Sequence, residues 1–197
     1  MLSCLTKPTT GDAFLLGDSI VSNTIAVKQK INVSPQETAV APNLTVKENL
    51  EMIAGLYGSN REEAIKKTKE MIEGFGMSEV ANSKAKILSG GWQRRLSIAM
   101  ALISKPQILF LDEPTLGLDI VARRDLWSII EKLKGKITII LTTHYLEEAE
   151  SLSDRIAIMT KGHLKAVGTA KELMTITNTQ KFEDAFLALA SGSEGSL

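Results

Sequence analysis

One cysteine, Cys4, is all that the 197 residues contain, so no internal disulfide can form, which fits a reducing compartment. Excess charge of either sign is missing too. Twenty-three basic and twenty-three acidic residues cancel, which removes the broad basic footprint of a nucleic-acid binder, and no nucleic acid is expected as a partner. No apolar run approaches the roughly 18 residues that a bilayer-spanning helix needs, and no secretory signal opens the chain. A membrane role is therefore expected to come through a partner, with the chain itself cytoplasmic. Internal repeats and low-complexity segments are absent. So is GxxxxGK[ST], the loop whose backbone cradles nucleotide phosphates. Gly135-Lys136 imitates its end, but Ile130 stands where the first glycine belongs and Ile137 replaces the hydroxyl residue.

What remains is ordinary for a soluble globular protein: 44% hydrophobic and 23% charged, long enough for one cored domain with a subdomain. Short strands are predicted over 13–16 and 31–34. Thr45 with Glu48 is a capping box, and the helix after it should bury Leu50, Ile53, Ala54 and Tyr57. Asn60 with Glu63 repeats the device ahead of a helix that Gly74 and Gly76 should end. A third helix comes after Gly90-Gly91, with Trp92, Leu96, Ala99, Met100 and Ile103 as its apolar stripe.

Beyond Pro106 the pattern changes to alternating strand and helix, which implies an α/β fold with a parallel sheet. Strands are predicted over 108–111 and 137–141. Between them runs a helix over 121–133, buried through Val121, Leu126, Ile129, Ile130 and Leu133. The 137–141 run is continuously apolar, as in a parallel sheet covered on both faces. Next come a helix over about 146–152, a strand over 156–159, a turn at Lys161-Gly162 and a return strand over 164–167. Thr169 with Glu172 caps another helix, 182–190 is the last, and 191–197 reads as a disordered tail.

The chemistry is concentrated between Leu88 and Asp119, in LSGGWQRRLSIAMALISKP and QILFLDEPTLGLD. An apolar strand ending at Asp112-Glu113 points two acids into a cleft, or it simply meets solvent at two acids and the Pro114 turn. Ser89-Gly90-Gly91 opens a helix whose N-terminus suits a phosphate, or it is a capped helix after a flexible turn. His144, in ITIILTTHYLEEAE, sits at a strand's carboxyl end, where open α/β sheets bind ligands; a lone histidine is otherwise structural or solvated. Asp119 could cap the helix starting near Val121. Taken together, in this order and spacing, the segments resemble an ATP-binding cassette (ABC) ATPase. That family has a P-loop NTPase-like, mostly parallel sheet, with a helical subdomain inserted between its phosphate loop and its acidic strand.

The resemblance implies roles. Asp112 would hold Mg²⁺ through water and Glu113 would polarise the water that attacks ATP, while His144 resembles the switch histidine that contacts the γ-phosphate. Gln36, in INVSPQE, resembles the glutamine that reaches Mg²⁺ and links the ATP site to transport subunits, although a glutamine after a strand is also common on surfaces. Ser89, Gly90 and Gly91 would bind the γ-phosphate of ATP held by a second cassette, and Asp119 would help join the two sites. Trp92 stands where glutamine is commonest. His163, the other histidine, reads as surface.

The implied organisation is 1–41, a remnant of the N-terminal part of the ATP-binding core, then 42–104, the helical signature subdomain. Residues 105–168 form the α/β core with the acidic strand and switch histidine, and 169–197 form the C-terminal helices and tail. The opening MLSCLTKPTTGDAFLLG resembles the family's segment just past the phosphate loop, so a truncated reading or fragment is expected, with Met1 internal; a naturally degenerate subunit is the alternative. LTVKENLEMIAGLYG, GTAKELM and FEDAFLALA look most like the multidrug and antibiotic-export branch. The expected function is an ATP-binding and hydrolysing subunit that pairs with a second cassette, homo- or heterodimeric, and with integral membrane permease subunits. It would lie peripherally on the inner face of the cell membrane. Two alternatives remain: a non-catalytic fragment that only dimerises or binds a partner, or an ABC-type ATPase of a non-transport system. Residues 1–197 alone are expected to bind ATP poorly, to fold badly and to turn nothing over.

Overall fold

The structure, a computed structural model, describes residues 1–191. It divides into two compact units, Met1–Thr142 and the part from Thr143 onward, each described by itself.

The first unit is organised by a three-stranded parallel sheet in the order β3-β4-β5. β3 is Ile31–Ser34, β4 is Ile108–Asp112 and β5 is Thr138–Thr142. Parallel neighbours cannot be joined by a tight turn, so each pair needs a crossover. The first crossover is helical: α2 (Val46–Leu56), α3 (Arg61–Gly74) and α4 (Gly90–Leu102). The second is α5 (Ile120–Leu133). Register pairs Ser34 with Leu111 and Asp112 with Thr142, so the loops after all three strands leave from one end. Ahead of the sheet, β1 (Phe14–Leu15) and β2 (Asp18–Ser19) form a small hairpin. Its turn is Leu16-Gly17, at φ +53° and +85°, the left-handed pair that two-residue hairpins require.

Several expectations are corrected here. The 13–16 strand shrinks to two residues, and a helix that the sequence pattern did not suggest, α1 (Thr24–Lys30), comes after the hairpin. Its TIAV start favours strands locally, but Val27 packs into a cluster with Ile20, Ile31 and Ile108. The buried face of α2 is Val46, Asn49, Leu50 and Ala54, while Tyr57 is 54% exposed. Asn49 is accommodated in the interior by hydrogen bonding: its side chain accepts from the Ala41 N–H and donates to the Ala41, Leu44 and Thr45 carbonyls. α4 is buried from Leu96 through Leu102 on every face, not along a stripe, because it lies inside the crossover against β3, β4, α2 and α5. Val121 is 70% exposed, and α5 is anchored by Leu126, Ile129 and Ile130 instead. β5 is parallel as expected but only half-buried along Ile139, Ile140 and Leu141; among the described residues it pairs with β4 alone.

The second unit contains α6 (Leu146–Leu152), β6 (Ile156–Thr160), β7 (His163–Gly168), α7 (Ala170–Thr177) and α8 (Phe182–Ser191). β6 and β7 form the expected antiparallel hairpin over Lys161-Gly162, at φ +50° and +78°. Ile156, Ile158, Leu173 and Phe182 are its core, with Leu146, Ala149 and Phe186 packed around them. Of the segment read as a tail, Ser191 ends α8; 192–197 lie outside the described residues.

All three capping boxes form, at Thr45/Glu48, Asn60/Glu63 and Thr169/Glu172. In the first, the Thr45 N–H donates to the Glu48 carboxylate at 2.7 Å and the Glu48 N–H to the Thr45 hydroxyl at 3.1 Å. The hydrogen bonds from the Thr45 backbone and then its side chain hold the Glu48 carboxyl below its ordinary value of 4.5. A depressed carboxylate contributes stability that is whole above the unfolded value and disappears as pH falls through the folded one. The Glu48 carboxyl, followed by NMR, should therefore titrate below 4.5 in the native chain and return towards it in Thr45→Ala. An unchanged midpoint in the variant would assign the depression elsewhere.

Candidate functional site

The site is built from the loops at the carboxyl end of the parallel sheet and from the start of α4. Asp112 closes β4 exposed to solvent, and its Oδ1 accepts from the Thr142 hydroxyl across the β4–β5 pair. Glu113 then turns the chain sharply. Its φ of +46° lies in the left-handed region that costs a non-glycine residue about 1–2 kcal/mol. The conformation is held from both sides: the Glu113 N–H donates to the Thr142 carbonyl at 3.0 Å, and its own carbonyl accepts from the Leu116 N–H at 3.1 Å. Pro114 and Thr115 are buried behind it, and Gly117 continues the turn at φ +73°. Asp119 ends the loop as the N-cap of α5, with Oδ1 accepting from the Val121 and Ala122 N–H groups, both at 2.9 Å. The capping reading of Asp119 is thereby observed.

Gln36 lies two residues beyond Ser34, as Glu113 lies two beyond its register partner Leu111, so both leave the sheet at one level. Its side chain is exposed. What joins the two loops is a residue that sequence reasoning missed. Arg94, on the first turns of α4, donates from Nη1 to the Pro35 carbonyl at 2.6 Å and from Nη2 to the Gln36 carbonyl at 2.5 Å. Nη2 also reaches the Glu113 carbonyl at 3.4 Å. Burial pushes the guanidinium below its usual pKa, and the charge of Asp112 acts the other way. A signal was present in the helical spacing: Arg94 precedes Ser97 and Ile98 by three and four residues, which puts it on the inner face.

Ser89 does not behave as the sequence suggests. It stands at the N-cap of α4 with extended backbone, but its hydroxyl makes no capping bond, so the first N–H groups of α4 are not closed by this side chain. Gly90 and Gly91 serve packing. A Cβ on Gly91 would lie 3.0 Å from the Ala122 Cβ, and one on Gly90 would be 3.9 Å from Leu118. The start of α4 is therefore seated against the loop and helix that Asp119 caps. Trp92 lies under the Arg95 guanidinium at 4.6 Å, and Arg95 pairs with Asp125 at 2.6 Å. His144, in the second unit, is exposed with its ring 4.2 Å from that of Tyr145. His163 is exposed in β7, as read.

Among the described residues no three His, Cys, Asp or Glu side chains converge into a metal cage. An exposed carboxylate, Asp112, with the Thr142 hydroxyl beside it, fits a hard ion such as Mg²⁺. Such an ion takes one or two carboxylates, keeps its waters and draws other ligands from substrate phosphates.

The profile of the ABC transporter family matches residues 1–116. Phospholipid-transporting ATPase ABCA3 of Homo sapiens is 40% identical over 170 residues, which are 86% of this chain and 10% of that protein. Daunorubicin/doxorubicin resistance ATP-binding protein DrrA of Streptomyces peucetius is 40% identical over 174 residues, 88% of this chain and 53% of that protein. The chain thus spans a tenth to about half of these relatives' lengths. Among solved structures, an ATP-binding subunit of an ABC transporter superposes with a TM-score of 0.81, at 24% identity, over 95% of this chain and 80% of that one. A dimeric ATP-binding cassette in a post-hydrolysis state, bound to ADP and Pi, gives 0.74 at 28% identity, over 85% and 76%.

The glycine geometry separates two adjacent positions. Gly91→Ala should cost about 1–3 kcal/mol, since the collision is with a backbone-borne Cβ that cannot swing away. Gly90→Ala should change stability by less than about 1 kcal/mol, a helix preference for alanine offsetting a light contact. Urea unfolding midpoints decide it, and equal shifts for the two variants would show that the α4–α5 approach is looser than described.

Proposed function

The chain belongs to the ABC transporter family, and from that premise we propose that it is the ATP-hydrolysing part of a membrane exporter. Members of this family bind and hydrolyse ATP, and their ATPase domains dimerise and pair with membrane permeases. No helix among the described residues is long and apolar enough to cross a membrane; on this reading the chain meets permease subunits at the inner face of the cell membrane. Export, rather than a non-transport role, is supported by the names of the relatives, a phospholipid-transporting ATPase and a drug-resistance ATP-binding protein.

The observation that carries the catalytic assignment is the fixed, strained turn at Glu113, one residue past the exposed Asp112. A carboxylate carried on a fixed backbone turn at a sheet's carboxyl end can accept a proton from water and aim that water, which is the work of a general base. Asp112 and Gln36 would hold Mg²⁺, which when bound supplies charge neutralisation to the phosphates. His144, two residues past β5, would help fix the attacking water. The uncapped start of α4, with Ser89, Gly90 and Gly91, offers backbone N–H groups to a γ-phosphate bound on a second cassette. Asp119 would tie the two sites through the loop and helix start on which Gly90 and Gly91 rest. Residues 1–197 hold no GxxxxGK[ST], so on this reading they turn over no ATP by themselves; the tests use the natural full-length protein.

In that protein, Glu113→Gln should keep ATP affinity within about threefold and lose roughly 10²–10⁴ in kcat, with His144→Ala behaving similarly. Full turnover by Glu113→Gln would remove the residue from the mechanism. The trans assignment is best tested at Ser89, because changes at Gly91 collide with Ala122. Chains carrying Ser89→Arg mixed with chains carrying Glu113→Gln should regain turnover. Each heterodimer then keeps one composite site free of both lesions. Heterodimers that form without any regain would place Ser89 and Glu113 at the same nucleotide.

A further inference from the structure

Arg94 is only 4% exposed although it carries a charge that water stabilises strongly. A residue needed merely to fill that space could be apolar, since well-packed hydrophobic replacements of buried charges are often neutral or stabilising. The guanidinium instead directs its rigid fork of N–H groups at three carbonyls, those of Pro35, Gln36 and Glu113. Pro35 and Gln36 belong to the loop leaving β3, Glu113 to the loop leaving β4, and Arg94 to the helix that begins at Gly90. Backbone carbonyls, unlike side chains, cannot rotate away without moving the chain that bears them. Any displacement of the 35–36 segment therefore pulls the fork, and the fork pulls the peptide after Glu113, whose left-handed backbone has few other conformations to adopt.

We infer that Arg94 is a positioning residue that locks the Gln36 loop to the Glu113 loop, so that movement of either is transmitted to the other. The lock deepens the ATPase assignment and rests on it: a carboxylate that orients water is sensitive to displacement, and about 1 Å of misplacement can cost on the order of 10²-fold in rate. It also gives the first turns of α4 a direct mechanical hold on both loops. No step of the reaction passes through the guanidinium.

The test uses Arg94→Lys and Arg94→Gln in the natural full-length protein. Lysine keeps the charge and the stem but loses the planar fork; glutamine loses the charge as well. Two quantities are read: kcat and KM for MgATP, and amide hydrogen exchange at 36–38 and 113–116, with the β6–β7 hairpin as internal control. For Arg94→Lys, kcat should fall about tenfold with KM changed less than about threefold, and exchange should accelerate in both loops while the hairpin is unchanged. Arg94→Gln should fall further, towards 10²-fold. Native kcat and native exchange in Arg94→Lys would overturn the inference. So would a loss of protection spread evenly over the hairpin, the mark of a structural plug, or a fall in kcat with both loops still protected.

If neither variant folds, Gln36→Gly decides. Loosening the first loop must raise exchange at 113–116, and unchanged protection there overturns the lock. A native protein with no Mg²⁺-dependent ATP turnover would sink the proposed function, whereas exchange in the two loops would still settle the role of Arg94.

Discussion

Parallel strand pairing is the constraint on which the rest of the structure depends. A parallel pair needs its chain carried back to the starting end before the next strand can begin, so every strand in the sheet finishes on the same side. The register of β3, β4 and β5 then decides which residues share that side: Gln36 and Glu113 leave at one level, and Asp112 meets Thr142 directly. The return journeys are made by helices, and the longest brings α4 beneath the strands that it connects. A site of four sequence-distant segments is thus a consequence of one pairing rule, not of separate attractions among its members.

Features encoded within a few residues were legible. Thr45/Glu48, Asn60/Glu63 and Thr169/Glu172 are complete devices at a spacing of three, and Lys161-Gly162 carries its own left-handed turn. The parallel sheet and the position of Asp112 and Glu113 at a strand end were legible because a continuous apolar run that gives way to acids has few other uses. Features settled by distant neighbours were not. α1 forms against strand-favouring residues because Val27 fills a pocket supplied by Ile20, Ile31 and Ile108. Ser89 has the composition of a cap without making one, and Val121 has the apolarity of a core residue at an exposed helix start. Arg94 was the largest omission: its spacing from Ser97 and Ile98 places it on the inner face of α4, but the carbonyls it binds lie on loops distant in sequence.

Around the candidate chemistry the chain accepts arrangements that an ordinary core avoids. Glu113 is in left-handed backbone, the Thr115 hydroxyl is buried without a hydrogen-bond partner among the described residues, and a guanidinium sits inside. The first two each cost on the order of 1–3 kcal/mol, and desolvating the guanidinium costs more before its carbonyl hydrogen bonds offset it. The second unit combines a hydrocarbon cluster of Ile156, Ile158, Leu173 and Phe182 with a fully buried carboxylate at Glu148. Local conflict of the kind gathered around Glu113 and Arg94 is expected where function overrides local preference.

The approach of Gly91 to Ala122 has an evolutionary meaning. With 3.0 Å between an added methyl and the existing one, neither position can enlarge unless the other recedes. Two positions thirty-one residues apart are thereby bound to drift together, and the glycine at 91 is preserved by its neighbour whether or not a phosphate ever reaches it. Invariance at that glycine, wherever it occurred in descendants of this sequence, would record a steric bond between two helices as much as any demand of nucleotide chemistry.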